Sequence, residues 1–120
     1  MADKSDDAAA LLPLSPATFH ILVSLADEDR HGYGIIRDVE ARTGGALRLS
    51  AGTLYRSIQR LLEQGVVVET RTRPAPEDDD ERRRYYRLTK FGVEVAEAEA
   101  GRLLELVKLA RARGLKPGRT

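Results

Sequence analysis

Residues 50–64 read Ser-Ala-Gly-Thr-Leu-Tyr-Arg-Ser-Ile-Gln-Arg-Leu-Leu-Glu-Gln. At about 100° per residue on a helix, Gly52, Arg56, Gln59, Arg60 and Glu63 share one face, and Leu54, Ile58, Leu61 and Leu62 form a stripe on the other. The chemistry open to the first set is hydrogen bonding to flat edges and to anions. A guanidinium at Arg56 suits a guanine edge, and a carboxamide at Gln59 suits an adenine edge. Ala51, Gly52 and Thr53 are small enough to let backbone amides approach a phosphate, and Arg60, a turn further on, suits a phosphate contact. Ser50 is a good N-cap and Gly65 a good helix stop, so the face has defined ends. The same pattern occurs on ordinary surface helices, so its weight depends on the elements around it.

Other chemistries find no support. His20 and His31 have no acidic or thiol partner at ligand spacing, so no metal site is expected. No Ser-His-Asp set, phosphate loop or paired-carboxylate pocket can be assembled, and no cofactor or catalytic residue is expected. The acidic run from Glu77 to Glu81 reads as a solvated loop.

The 120 residues fit one domain. Lys and Arg number 20 against 19 Asp and Glu, a net charge of +1, so any preference for a polyanion rests on distribution rather than bulk charge. Charge is in fact segregated. Residues 102–120 carry six basic side chains against Glu105, whereas acids gather in residues 3–7 and 77–81. There is no apolar run of membrane length and no signal-peptide pattern at the N-terminus. With no Cys either, the expectation is a cytoplasmic protein that does not enter a membrane.

The elements that must position the polar face can be taken in order. Residues 1–14 form a flexible or partly helical tail, interrupted by Pro13. Ser15-Pro16 starts a helix whose apolar positions Phe19, Leu22, Val23 and Ala26 keep helical spacing, ending near residues 27–29. Residues 30–34 form a turn, and a second helix runs from Ile35 to about Thr43 before Gly44-Gly45. Leu47-Arg48-Leu49 alternates and predicts a very short strand. After Gly65 the period changes from 3.6 to 2, which predicts a strand from Val66 to Arg71. A second strand over residues 82–88 has Tyr86 and Leu88 facing inward. Three helices followed by an antiparallel hairpin make a winged helix-turn-helix over residues 15–88. Thr89 then caps a long helix, residues 89–113. Its Val93, Ala96, Ala100, Leu103, Val107 and Ala110 follow a coiled-coil-like spacing, with Leu104 widening the apolar surface. This is expected to be a dimerisation helix, and residues 114–120 a disordered basic tail.

Three motifs in order resemble the PadR-like transcriptional regulators: His31-Gly32-Tyr33-Gly34-Ile35; Gly52-Thr53-Leu54-Tyr55-Arg56, running into Arg60-Leu61-Leu62-Glu63-Gln64-Gly65; and Arg83-Arg84-Tyr85-Tyr86-Arg87-Leu88-Thr89-Lys90-Phe91-Gly92. The resemblance implies a homodimeric winged-helix repressor on an inverted repeat of double-stranded DNA. It further implies a recognition helix in the major groove and, for many members, a small-molecule effector.

Taken together, the expected DNA-contacting residues are Tyr33, Ser50, Ala51, Gly52, Thr53, Tyr55, Arg56, Gln59, Arg60, Arg71, Arg82, Arg83 and Arg84. Arg56 and Gln59 are assigned to bases and the others to phosphates or the minor groove. The alternative function is a winged-helix module whose Arg-bearing face meets an acidic protein.

Overall fold

A computed structural model describes residues 4–70 and 84–118. Its elements are α1 (Lys4–Ala9), α2 (Pro16–Ser24), β1 (Arg30–His31), α3 (Gly32–Arg42), α4 (Ala51–Glu63), β2 (Val67–Thr70), β3 (Tyr85–Leu88) and α5 (Lys90–Ala112). This is a winged helix-turn-helix with a long C-terminal helix.

Local chemistry explains most boundaries. The hydroxyls of Ser15, Ser50 and Thr89 accept from the amides of Thr18 (3.1 Å), Thr53 (3.1 Å) and Gly92 (2.9 Å), which starts α2, α4 and α5. α3 begins at Gly32 rather than Ile35, because His31 is its N-cap: the ring Nδ1 accepts from the Gly34 amide at 3.0 Å. Histidine is a rare cap, so a rule built on Ser, Thr, Asp and Asn misses it. Gly65, at φ 74, ends α4 by returning the chain toward the sheet. α2 stops at Ser24, with Leu25 as its cap, a little before the expected acidic end.

Two strand expectations need correction. Residues 47–49 form no strand; Leu49 is buried, and the Leu47 amide is held by the Thr43 hydroxyl at 3.1 Å. The sheet has three strands rather than two, in the order β1-β3-β2, all antiparallel. β1 is the segment expected as a turn; its Arg30 and His31 pair with Tyr86 and Tyr85. β3 is therefore central, and both Tyr85 and Tyr86 are buried, whereas Leu88 is only half-buried. Tyr85 meets the His31 ring edge-on at 5.3 Å, a cross-strand contact.

The core joins Ile21, Leu22, Ile35, Val39, Leu54, Ile58, Leu61, Val66, Tyr86 and Val95. A polar clamp fixes α2 to α3. Asp38 accepts from Ser24 (2.9 Å) and Arg42 (2.8 Å), and Arg42 also donates to the Ser24 hydroxyl (2.8 Å) and the His20 carbonyl (3.1 Å). Burial pushes the Asp38 carboxyl up, but the hydrogen bonds from Arg42 and Ser24, with the charges of Arg30 and Arg42, hold it below the usual carboxylate range.

α5 is rooted where α4 ends. The Thr89 hydroxyl donates to the Gly65 carbonyl at 2.6 Å, and the Thr89 amide to the Val66 carbonyl at 3.0 Å. Gly92 lies flat on the Val66 backbone, where any Cβ would collide with the Val66 carbonyl oxygen.

Candidate nucleic-acid interface

α4 buries Leu54, Ile58 and Leu61 and presents Ser50, Ala51, Gly52, Tyr55, Arg56, Gln59, Arg60 and Glu63 to solvent. The burial sets the helix roll, and the roll sets the outward face. Arg56 folds back toward the helix start: its guanidinium donates to the Thr53 hydroxyl at 3.5 Å and lies 3.3 Å from where a Gly52 Cβ would be. Gln59 donates to the Glu63 carboxylate at 3.2 Å. That bond must open before the amide can meet a base edge. Arg60 is exposed, with no ion pair among the described residues.

Tyr33, 58% exposed on the first turn of α3, lies beside this face, with the Arg37 guanidinium 5.7 Å above its ring. Tyr55 is half exposed, but its ring and hydroxyl lie against Gly32, where a Cβ would overlap them. Gly32 thus lets the start of α3 sit close to α4, and Tyr55 braces the two helices while its edge stays open.

Between α4 and the sheet runs a groove of about 440 Å³, bordered by Tyr33, Tyr55, Gln59, Glu69, Arg84 and Tyr86. Arg84 stands at its sheet side, 3.9 Å from the Glu69 carboxylate, with most of its side chain in solvent. Burial, then the neighbouring Tyr55 and Glu69, push the Tyr86 hydroxyl above its ordinary value, so it stays protonated and able to donate. Among the expected contacts, Tyr33, Ser50, Ala51, Gly52, Thr53, Tyr55, Arg56, Gln59, Arg60 and Arg84 therefore cluster around one helix and the groove beside it. Arg71, Arg82, Arg83 and the acidic run 77–81 lie outside the described residues. So does Arg73.

A helix held by its apolar stripe, with small residues at its start and cations along its open face, beside a two-stranded wing, is the geometry of a major-groove reader. The model of the transcriptional regulator PadR-like family matches residues 21–98, which span all of these elements. The chain belongs to the PadR-like family. Among its relatives, an uncharacterized protein of Lysinibacillus sphaericus is 35% identical over 72 residues, 60% of this chain and 63% of that protein. The chain thus spans less than two thirds of that relative's length. A complex of H. salinarum RosR matches with a TM-score of 0.66 at 26% identity, covering 88% of this chain and 81% of that one. Bacillus subtilis PadR, solved in complex with operator DNA, matches with a TM-score of 0.57 at 18% identity, over 69% of this chain and 46% of that one.

The long helix α5 carries the other set of expected contacts. Of its expected interface residues, Val93, Ala96 and Ala100 border an apolar groove of about 290 Å³ against Phe19, Val23 and Ala26 of the α2 side. Leu104 and Val107 are exposed, and Leu103 and Ala110 are half-buried. Leu106 and Leu109 are also more than half exposed. Beyond the Arg113 cap Gly114 turns the chain, and the Leu115 amide returns to the Ala110 carbonyl at 3.0 Å.

Several residues that matter were not legible beforehand. Arg37, absent from the expected contacts, lies above the Tyr33 ring and so joins the candidate interface; its i to i+4 spacing from Tyr33 is the signal the sequence offers. Arg48, just before α4 and 3.4 Å from Glu40, is mostly exposed beside the recognition helix start. The His31 cap had no sequence signal, because it depends on a strand pairing 54 residues away (His31 with Tyr85). Among the described residues, no group of His, Asp or Glu could hold a metal ion and no helix is long and apolar enough to cross a membrane.

Proposed function

We propose that the protein is a homodimeric transcriptional repressor that reads an inverted-repeat operator with α4. The observation that carries this reading is the division of α4: Leu54, Ile58 and Leu61 are buried, while Gly52, Arg56, Gln59 and Arg60 stand open beside a wing. In this reading Arg56 and Gln59 meet base edges. Ser50, Ala51, Gly52, Thr53, Tyr33, Tyr55 and Arg60 hold phosphates, and Arg84, with Arg71, Arg82 and Arg83, serves the wing. That Bacillus subtilis PadR, a protein of the same fold, was crystallised with operator DNA supports DNA as the partner.

Dimerisation follows from the exposed apolar surface of α5. A helix that leaves Leu104, Leu106, Val107 and Leu109 in water costs hydration free energy that a second copy would recover, at about 25 cal/mol per Å² covered. Twofold symmetry then sets the recognition helices about 34 Å apart, one turn of B-DNA. Family resemblance extends the reading to a small-molecule effector that releases the operator, and to a cytoplasmic setting.

The test is a binding titration on DNA upstream of the protein's own gene. A preference of about 10³ or more for a palindromic segment over its scrambled form supports the reading, and equal binding to both overturns it. A protein-interaction module with the same Arg-bearing face is the competing reading. Such a module would bind an acidic protein and show no operator preference.

A further inference from the structure

The cap of α3 differs in chemistry from those of α2, α4 and α5. These three helices start on the hydroxyls of Ser15, Ser50 and Thr89, which can accept a hydrogen bond at any ordinary pH. α3 starts on the imidazole of His31, whose Nδ1 lies 3.0 Å from the Gly34 amide nitrogen. A backbone N–H can only donate, so Nδ1 must be the bare nitrogen and the ring neutral, with its proton on Nε2. A doubly protonated ring offers no acceptor. It would turn an N–H toward the Gly34 N–H and set a positive charge at the positive end of the helix dipole. The capped helix and the charged ring therefore exclude one another.

His31 is half-buried and borders the groove between α4 and the sheet, so its ring is within reach of solvent protons. The titratable and charged groups that share the groove are Tyr33 of α3, Tyr55 of α4, Glu69 of β2, and Arg84 and Tyr86 on the β3 side. Glu69 and Arg84 face each other at 3.9 Å, and Tyr85 packs edge-on against the His31 ring from β3. Arg30, the neighbour on β1, pairs with Asp27, Glu28 and Asp38. The register of His31 with Tyr85 holds its backbone in the sheet, so a charged ring acts on the first turn of α3 rather than on the strand. That turn carries Gly32, which lies against the Tyr55 ring of α4, and Tyr33, which lies under the Arg37 guanidinium.

We propose that His31 is a proton-sensitive latch: protonation of its ring uncaps α3, loosens the turn that sets Gly32 and Tyr33 beside α4, and so weakens operator binding on acidification. The effect on DNA rests on the proposed reading of the protein as an operator-binding dimer; the uncapping does not. An imidazole in water takes up its proton near pH ~6.5. A cap that works only in the neutral form stabilises the fold above that value and loses its contribution as pH falls below it. Loss of a cap should favour opening of the first turn by about 2- to 30-fold.

Nuclear magnetic resonance on the full-length chain tests the latch itself. At about pH 7.5, above the imidazole range, the His31 ring nitrogens should report a bare Nδ1 and a protonated Nε2. On acidification to about pH 5.5 the hydrogen-exchange protection of the Gly34 amide should fall about 2- to 30-fold relative to the Thr53 amide, whose cap is the Ser50 hydroxyl. In His31→Asn, whose side-chain oxygen can cap at any of these pH values, the two amides should keep their ratio. Operator titrations at the same two pH values form the second readout. Wild-type affinity should fall by a factor of about 2 to 30 more than that of His31→Asn, and His20→Asn, which removes the other histidine, should keep the wild-type response. A proton on Nδ1 at the higher pH overturns the proposal. So does a wild-type Gly34 amide that tracks Thr53 at both pH values, or operator binding whose pH response is the same in wild type and His31→Asn. Should His31→Asn fail to fold, the two wild-type resonance measurements decide the uncapping alone. If Gly34 loses protection but the wild type shows no operator preference at either pH, the latch stands and the DNA reading fails.

Discussion

α4 and α5 are both amphipathic, yet they leave opposite kinds of surface uncovered. α4 buries Leu54, Ile58 and Leu61 of its apolar stripe, half-buries Leu62, and shows water a polar face of Arg56, Gln59 and Arg60. α5 buries Gly92, Val95 and Glu99 near its root but leaves Leu104, Leu106, Val107 and Leu109 exposed toward its end. A solvated cationic face costs little when unoccupied and waits for a partner that is itself charged. An uncovered leucine-rich face is unfavourable in water and calls for another apolar surface. On the proposed reading, one helix meets DNA reversibly and the other meets a second copy persistently.

The comparison can be broken most strongly on the apolar side. Val107→Asp puts a charge where a partner helix should pack and should turn the dimer into monomers. Because two linked half-sites bind more tightly than one by about 10²- to 10⁴-fold, operator affinity should fall by a factor in that range. Sedimentation that still reports a dimer would place the interface elsewhere. On the buried side of α4, Ile58→Ala should cost about 2–5 kcal/mol of stability in denaturant melts by opening a cavity under the recognition helix.

Smaller effects belong to the polar face. Arg56→Ala should cost about 1–3 kcal/mol in operator binding and relax base preference at one position per half-site; a uniform loss across all sequences would reassign it to phosphate. Arg60→Ala should weaken all sequences alike and reduce the slope of log affinity against log salt by about 1.

The smallest effect separates the two helices by pH. The Arg102 hydrogen bonds, aided by the Arg102 charge and the Leu14 amide and opposed by burial, hold the Glu99 carboxyl below its ordinary 4.5. A depressed acid stabilises the fold above the unfolded-state value and loses that contribution as pH falls through the folded-state value. Wild-type stability relative to Glu99→Gln should therefore be greatest above pH 4.5 and shrink below it. α4 buries no acidic side chain.

The parts of the fold legible in the sequence are those governed by local rules. Ser50, Thr89 and Ser15-Pro16 announce helix starts, Gly65 announces a stop, and the stripe Leu54, Ile58, Leu61 fixes which side of α4 faces out. The arrangement that fails to show is governed by distant contacts. β1 is two residues long and exists only because Arg30 and His31 find Tyr86 and Tyr85 across the chain. The same pairing makes β3 central, buries both tyrosines and cancels the alternation that a half-buried strand would show. Glu99 reads as one more acid in an acidic stretch of helix, because only the fold buries it. Within the site, the face of α4 was readable from spacing. The contributions of Gly32, Arg37 and Arg48 depend on how α3 and its flanking loop sit beside that face, which spacing does not specify.

The most direct test of the central claim is competition binding of the wild-type protein to a palindromic fragment from its own locus and to the same fragment scrambled, across a salt series. The account predicts a preference of about 10³ or more for the palindrome at physiological salt, and log affinity falling linearly with log salt. Equal affinities for the two fragments at every salt concentration would contradict it.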